Sequence, residues 1–397
     1  DRDGAVLAET VGATGALARV YPLASGGPAV GYYSVRFGAA GIERAYDAAL
    51  RGHSGDLWSE TWQAVTHASP AGRDVRLTLD ATLQAAATEQ MAGHAGGLVL
   101  LEVTTTSDAT EAAIRALVSQ PNYDPNALAE QFEALAADES GPLFDRAGQG
   151  LYQPGLITLP FLTAAALESG ALRLDDPVAE PFAPVIIDGQ VQRCVVREDE
   201  SNPAARHSWA DMAVLRCPAP LQTLGTELGA AALDDALARF GLTTPPALPI
   251  PTAGGEAIID QPELAAIGQA GLTVTPLQAA LATAALAGDG RLPAPRLVEA
   301  VTDADGRWVA QPLAITAERA VAAKAAVAVR ETWPQSGDVR DFAVSPLSGP
   351  AGHHNTWYLG FTPADAPRFV VALVLEDVND IAAAEAIGRA VLARARD

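Results

Sequence analysis

The chain has 397 residues and a formal net charge of −22, with 49% apolar and 19% charged residues. This composition can bury a sizeable core and is not that of a disordered chain. The length allows one large domain and one or two smaller ones. The negative charge argues against nucleic acid or an anionic membrane surface as partner. The sequence holds no run of 18 apolar residues, so it predicts no transmembrane helix, and its opening DRDGAVLAE is not typical of a signal peptide.

The first half of the chain predicts strands and one well-marked helix start. Residues 1–72 are rich in Gly, Ala and short polar breaks. DVRLTLD, residues 74–80, alternates with period two and predicts a strand, and Asp80 then stands at the N-cap of the helical ATLQAAATEQM. GGLVLLEV and AAIRALVS predict a hairpin across the polar TTTSDATE.

The second half predicts helices and then a sheet. From Pro160 the sequence is mostly helical up to the proline-rich LTTPPALPIPTAGG, and a long Ala-rich helix is predicted to end at residues 288–290. RWVAQPL, TWYLGFTP and RFVVALVLED predict strands, and AAAEAIGRAVLARAR predicts a closing helix. Helices around a largely antiparallel sheet indicate an α+β fold.

Motifs for metals and common catalytic sites are absent from the sequence. His353 and His354 are adjacent, so on a strand their side chains would face opposite ways and would not bind one metal ion as a pair. The acidic runs DRDG, NYDPN and EDVND lack EF-hand spacing and are explained by turn chemistry. Cys194 and Cys217 are too few for a metal site, which leaves two buried thiols or one disulfide. We therefore predict no metal and no cofactor.

Lysine is nearly missing from the chain. Lys324 is the only one, and the other 25 of the 26 basic residues are arginine. A mechanism that needs two lysines is therefore excluded, because arginine stays protonated and cannot replace lysine as a base. The Ala-rich AERAVAAKAAVAV predicts that Lys324 lies on a surface helix.

Seven fragments, taken in order, resemble successive landmarks of class B penicillin-binding proteins, the D,D-transpeptidases that cross-link peptidoglycan. The fragments are DRDGAVLAE, GYYSVRFGAAGIERAYDAALRG, DVRLTLDATLQAAA, LVSQPNYDPN, PLFDRAGQGLYQPG, AIGQAGLTVTPLQAALATAALAGDGRLPAPRLV and WYLGFTPADAPRFVVALVLED. This resemblance implies the transpeptidase fold, related to serine β-lactamases, with a five-stranded antiparallel sheet flanked by helices. It assigns residues 73–397 to that domain and residues 1–72 to an N-terminal pedestal remnant. It also implies a membrane anchor ahead of DRDG and a location on the extracytoplasmic face of the bacterial membrane.

The chemistry of that family uses three motifs. In S-x-x-K the lysine lies one helical turn from the serine and activates its hydroxyl, S-x-N supplies a hydroxyl and an amide, and K-T-G binds the substrate carboxylate. On this sequence the first motif places Leu156 at the nucleophile and Leu159 at the base. The second motif falls on Arg216, Cys217 and Pro218. The third falls on Pro350, Ala351 and Gly352.

The resemblance therefore implies a degenerate member without catalytic residues, because leucine cannot be acylated. On a helix, the side chain of Thr158 would point about 200° away from that of residue 156, so Thr158 does not replace the serine nucleophile of the motif. Leu156 and Leu159 either fill the old cleft or line an apolar groove for a partner, and Ile157 joins the core.

The resemblance also bears on the two cysteines. The order Cys194, His207, Cys217 fits that of the family and implies a Cys194–Cys217 disulfide. It would close a loop of about 23 residues, worth roughly 3 kcal/mol.

We expect a catalytically inactive homologue that acts as a binding or scaffold protein in peptidoglycan synthesis or cell division, with proteins of those assemblies as partners. One alternative is a module that binds peptidoglycan stem peptides noncovalently. A second is a residual transpeptidase or acyl hydrolase with relocated residues, such as Ser345 or Ser348.

Overall fold

A mixed sheet dominates the computed structural model, which describes residues 1–13, 17–53, 71–106, 109–187, 189–195, 207–255, 259–344 and 354–397. Among these residues the strands are β1 (Glu9–Val11), β2 (Ala18–Val20), β3 (Tyr33–Ser34), β4 (Gly38–Ala39), β5 (Val75–Leu77), β6 (Gly96–Thr105), β7 (Thr110–Gln120), β8 (Val185–Ile187), β9 (Gln190–Gln192), β10 (Arg291–Leu292), β11 (Ala294–Arg296), β12 (Val298–Thr302), β13 (Trp308–Ala310), β14 (Glu318–Arg319), β15 (Gln335–Ser336), β16 (Val339–Val344), β17 (Thr356–Thr362) and β18 (Phe369–Leu375).

Helices surround this sheet. Among the described residues they are α1 (Gly27–Val30), α2 (Gly41–Ala45), α3 (Asp47–Leu50), α4 (Ala81–Gln90), α5 (Leu128–Ala137), α6 (Thr158–Ser169), α7 (Trp209–Leu215), α8 (Pro218–Arg239), α9 (Pro262–Ala266), α10 (Pro276–Ala287), α11 (Ala323–Arg330) and α12 (Ile381–Arg396), with 3₁₀ turns at Ala24–Gly26 and Gly155–Ile157. None of these helices is both long enough and apolar enough to cross a membrane.

The main sheet has the order β11-β7-β6-β18-β17-β16-β15. Its five central strands are mutually antiparallel, as the resemblance implies, whereas β11 pairs with β7 in parallel. The sheet is thus wider than the expected five strands, because two strands of three and two residues extend its edges. The α+β fold is confirmed. The domain boundary between residues 72 and 73 stays a prediction.

Alternate residues of the central strand β18 point into two separate cores. Val370, Ala372 and Val374 belong to the core that contains α6 and α10. Their neighbours along the strand belong to the core on the other face, which α4 and α12 cover. Both faces are therefore buried, which explains why this strand is a continuous apolar run.

The helix signals in the sequence mark real helix boundaries. Asp80 caps α4, and its Oδ1 accepts hydrogen bonds from the main-chain N–H groups of Thr82 and Leu83, both at 3.0 Å. Helix α10 starts after Thr275, which exchanges capping hydrogen bonds with Gln278, and it ends at Gly288 as predicted.

A buried carboxylate ties the N-terminal segment to the main sheet. Glu102, near the end of β6, accepts hydrogen bonds from Arg2 at 3.2 Å, from Arg115 at 2.7 Å and from Arg368 at 2.7 Å. Burial raises the pKa of Glu102, but the charges of Arg115 and Arg368 outweigh burial, so its pKa lies below the ordinary value. The carboxylate therefore stabilises the fold in its charged form.

We predict that Glu102→Gln lowers the free energy of unfolding at pH 7 by about 3 kcal/mol, because it leaves Arg115 buried without its counter-charge. The carboxylate's contribution is fully present above the unfolded glutamate pKa of about 4.3 and is lost as the pH falls through the lower folded pKa. The difference between wild type and variant should therefore shrink toward acid pH. Urea denaturation at several pH values measures it.

The matched control is Glu133→Gln, which removes an exposed glutamate that pairs with Arg36. We expect a change below about 0.5 kcal/mol for this variant. A loss at Glu102 as small as the loss at Glu133, or one that does not depend on pH, would contradict the prediction.

Candidate functional site

The turn before α6 is fixed by a close approach of two backbone segments. Tyr152 forms an antiparallel bridge with Val274, with N–H to O distances of 3.0 and 2.8 Å between main-chain atoms. Gly155 has φ +55°, and Gly268 has φ +71°. A Cβ on Gly268 would lie 2.3 Å from the nitrogen of Gly155, so only glycine fits there. The chain then enters the 3₁₀ turn Gly155–Ile157 and α6.

Side chains from the sheet hold the same turn. The indole Nε1 of Trp357 donates to the carbonyl of Gln153 at 3.0 Å, and its ring meets the Tyr152 ring edge to face at 6.1 Å. The Tyr152 hydroxyl donates to Glu376 Oε1 at 2.6 Å. Burial, together with the Glu376 carboxylate, raises the pKa of Tyr152. The turn is therefore rigid and positioned by strand β17 and the end of β18.

The side chains that this turn presents are apolar and enclosed. Leu156 has an exposed fraction of 0% and Leu159 of 2%, and both belong with Ile157 to the main hydrophobic core. An exposed apolar groove would leave these side chains accessible. Their burial favours the alternative in which they fill this part of the cleft.

Thr158 is the hydroxyl nearest to the turn in sequence, and it is committed to packing. Its Oγ1 lies 3.1 Å from the carbonyl oxygen of Gly155 and 2.5 Å from that of Ala266. The residue is fully buried. A hydroxyl bonded to main-chain carbonyls and closed to solvent is not placed to attack a ligand.

The second motif position carries a buried cation. Arg216 ends helix α7 in the left-handed conformation, with φ +52°. Its Nη1 donates to the carbonyl of Ala343 on β16, its Nε donates to the carbonyl of Val214 at 3.2 Å, and its guanidinium lies 5.7 Å from the Phe342 ring centroid. Burial lowers the pKa of Arg216, and the carboxylates of Glu385 and Asp341 oppose that shift.

The residues after Arg216 have structural roles. Cys217 forms a disulfide bond with Cys194. Pro218 is the first residue of α8, where a missing N–H has no cost. Neither residue offers a hydroxyl or a side-chain amide.

The third motif position, Pro350, Ala351 and Gly352, lies outside the described residues, as do Ser345, Ser348 and His353. Strand β16 precedes that segment and contacts the turn Gly155–Ile157. The sequence of β16, VRDFAV, contains no lysine, serine or threonine. Lys324 is exposed on α11, as predicted. Both the turn that carries Leu156 and the side chain of Arg216 thus contact β16.

One titratable group beside the turn was not singled out from the sequence. Asp145 is buried, and burial raises its pKa to about 6 although its Oδ1 accepts main-chain hydrogen bonds from Ala147 and Gly148, both at 3.1 Å. It fixes the loop that leads to Tyr152. An aspartate two residues before Ala-Gly is a turn signal, but sequence alone gives no sign of its burial.

The part of the chain that the structure describes contains no group of three or more His, Cys, Asp or Glu side chains that could hold a metal ion.

Comparison with known proteins decides the family. The model of the penicillin binding protein transpeptidase domain matches residues 103–393, and that of the penicillin binding protein A dimerisation domain matches residues 1–75. The chain belongs to the penicillin-binding protein transpeptidase family.

Relatives of known activity or structure cover nearly the whole chain. It is 31% identical to the peptidoglycan D,D-transpeptidase PbpA of Mycolicibacterium smegmatis, over 99% of this chain and 87% of that protein. The crystal structure of PBPA from Mycobacterium tuberculosis is 28% identical, with a TM-score of 0.85, and the match covers 99% of this chain and 98% of that one. The penicillin G acyl-enzyme complex of that protein has a TM-score of 0.86 at 27% identity, with the same coverage.

We predict that Leu156→Ala lowers the free energy of unfolding by about 3 kcal/mol, because it leaves a cavity in a fully enclosed site. The matched control is Leu151→Ala, whose side chain is 44% exposed and should cost below about 1 kcal/mol. Urea denaturation measures both. Equal costs at the two positions would show that Leu156 is not part of a packed interior.

We predict that reduction of the Cys194–Cys217 disulfide lowers the free energy of unfolding by roughly 3 kcal/mol, as expected for a loop of this length. Denaturation with and without a thiol reductant measures the loss, and a Cys194→Ser, Cys217→Ser double variant should match the reduced protein. Two free thiols titrated in the unreduced, denatured protein would refute the bond.

Proposed function

We propose that this chain is a catalytically inactive member of the penicillin-binding protein transpeptidase family that acts as a binding or scaffold protein in peptidoglycan synthesis or cell division. The observation that carries the proposal is the fully buried Leu156 at the position where the family motif has its serine. Acyl transfer needs a nucleophile that can form a covalent intermediate, and a leucine side chain has no group that can do so.

The losses around that position support the same conclusion. The base position is Leu159, which is also buried, and the hydroxyl of the second motif is replaced by Arg216. Two of the three motifs require a lysine, whereas the only lysine of the chain is exposed on α11. A nucleophile, its base and the carboxylate-binding lysine are therefore missing together, and each of these groups alone has a large effect on catalysis.

The retained fold supports a binding role. The Tyr152 and Trp357 contacts and the Gly155–Gly268 approach still position a turn that no longer serves chemistry. A scaffold function depends on surface shape, which such contacts preserve. We propose a location at the extracytoplasmic face of the bacterial membrane, with proteins of cell-wall synthesis or division as partners.

Labelling with a fluorescent penicillin tests the loss of catalysis. PBPA of Mycobacterium tuberculosis, for which a penicillin G acyl-enzyme structure exists, is the positive control. We predict that the control gives a fluorescent band after denaturing electrophoresis and that this protein gives none. A band that survives denaturation and is competed by unlabelled penicillin G would overturn the proposal.

A Ser345→Ala, Ser348→Ala double variant separates the residual-enzyme alternative from the scaffold. In cells that lack the native gene, a scaffold predicts that wild type and double variant restore growth and cell shape equally. Rescue by wild type but not by an equally abundant double variant would favour an enzyme with relocated serines.

A further inference from the structure

Strand β16 has an outer edge that no described strand covers over residues 342–344. On its inner side β16 pairs with β17 from Arg340 to Val344. On its outer side β15 pairs only with Val339 and Arg340. The N–H of Asp341 still donates to the carbonyl of Pro334, at 3.1 Å. Beyond that point the edge is of the kind to which an extended peptide adds as a further strand.

Ala343 supplies the polar groups of this edge. Its carbonyl accepts a hydrogen bond from Arg216 and therefore points away from β17. In an antiparallel ladder the N–H and C=O groups of one residue point to the same side. Ala343 thus directs both main-chain groups outward, and these are the groups that an added peptide would need for pairing.

The guanidinium of Arg216 binds the Ala343 carbonyl, which an added peptide would otherwise use for pairing. Only 7% of the residue is exposed, and its guanidinium lies over the Phe342 ring of the same strand, 5.7 Å from the ring centroid. Its hydrogen bonds go to the main-chain carbonyls of Ala343 and Val214. The nearby carboxylate of Asp341 is bound instead by Arg389, with 2.5 Å between Oδ2 and Nε.

The backbone holds Arg216 firmly in this position. Its N–H donates to the carbonyl of Met212 at 2.8 Å, and its own carbonyl accepts from the N–H of Val195 at 3.1 Å. The next residue, Cys217, is fixed by the disulfide to Cys194. The long side chain therefore starts from a rigid point, which reduces the entropy lost when its head group caps the strand.

We propose that Arg216 is a built-in block of the peptide-pairing edge of β16, and that it prevents extended peptides, including peptidoglycan stem peptides, from binding along this strand. The inference rests on the proposed function, because it concerns the site left by the lost nucleophile. It implies that a protein partner docks on another surface, and it opposes the alternative of a stem-peptide module.

Peptide titration of matched variants tests the block. The probe is a synthetic pentapeptide that ends in D-alanyl-D-alanine, titrated to millimolar concentration by calorimetry. Arg216→Ser removes the cation and shortens the side chain, whereas Arg216→Met removes the cation and keeps a long side chain. Arg193→Ser is the control, because it removes an exposed arginine next to Cys194, the disulfide partner of Cys217. Up to the millimolar limit of the titration we expect no binding by wild type or control. Either Arg216 variant should bind with a dissociation constant roughly tenfold or more below that limit.

Each outcome decides the proposal. Binding by wild type as tight as that of the variants overturns it, and so does the absence of binding by Arg216 variants whose circular dichroism and melting temperature match wild type. Failure of both variants to fold also overturns it, because Arg216 would then be a folding residue. Leu156 is unchanged throughout, so a covalent penicillin label on any variant would count against the proposed function and not against the block.

Discussion

The rest of the site depends on one packing constraint, the contact between Gly155 and Gly268. A Cβ on Gly268 would lie 2.3 Å from the nitrogen of Gly155, so no side chain fits between the two segments. The turn therefore delivers residue 156 into the interior beside strand β16, whatever that residue is. Under the proposed function, Leu156 occupies the position of the family's serine, and its enclosed apolar contact keeps the fold without a nucleophile.

The two cores explain how the fold accommodates apolar side chains at these positions. The sheet is buried on both faces, and Leu156 and Leu159 add to the larger core. Replacement of polar by apolar side chains at an enclosed position removes the cost of desolvating polar groups. The Glu102 network and the disulfide at Cys217 stabilise the surrounding framework independently of any reaction.

Much of the fold could be predicted from the sequence because its signals are local. The cap at Asp80, the end of α10 at Gly288 and the apolar runs of β17 and β18 each lie within one element. The resemblance to class B penicillin-binding proteins predicted the order of these elements and assigned Leu156 to the first motif. The edge strands β11 and β15 were missed, since two or three residues show no periodicity. The contact of Arg216 with Ala343 joins residues far apart in the chain, and no local pattern reports it.

A crystal structure of the protein soaked in penicillin G tests the central claim most directly. We predict Leu156 enclosed in the main core, the Arg216 guanidinium on the carbonyl of Ala343, and no electron density for an acyl group. Continuous density that joins a penicilloyl group to any side chain, or an open cleft with Leu156 exposed on its wall, would contradict it.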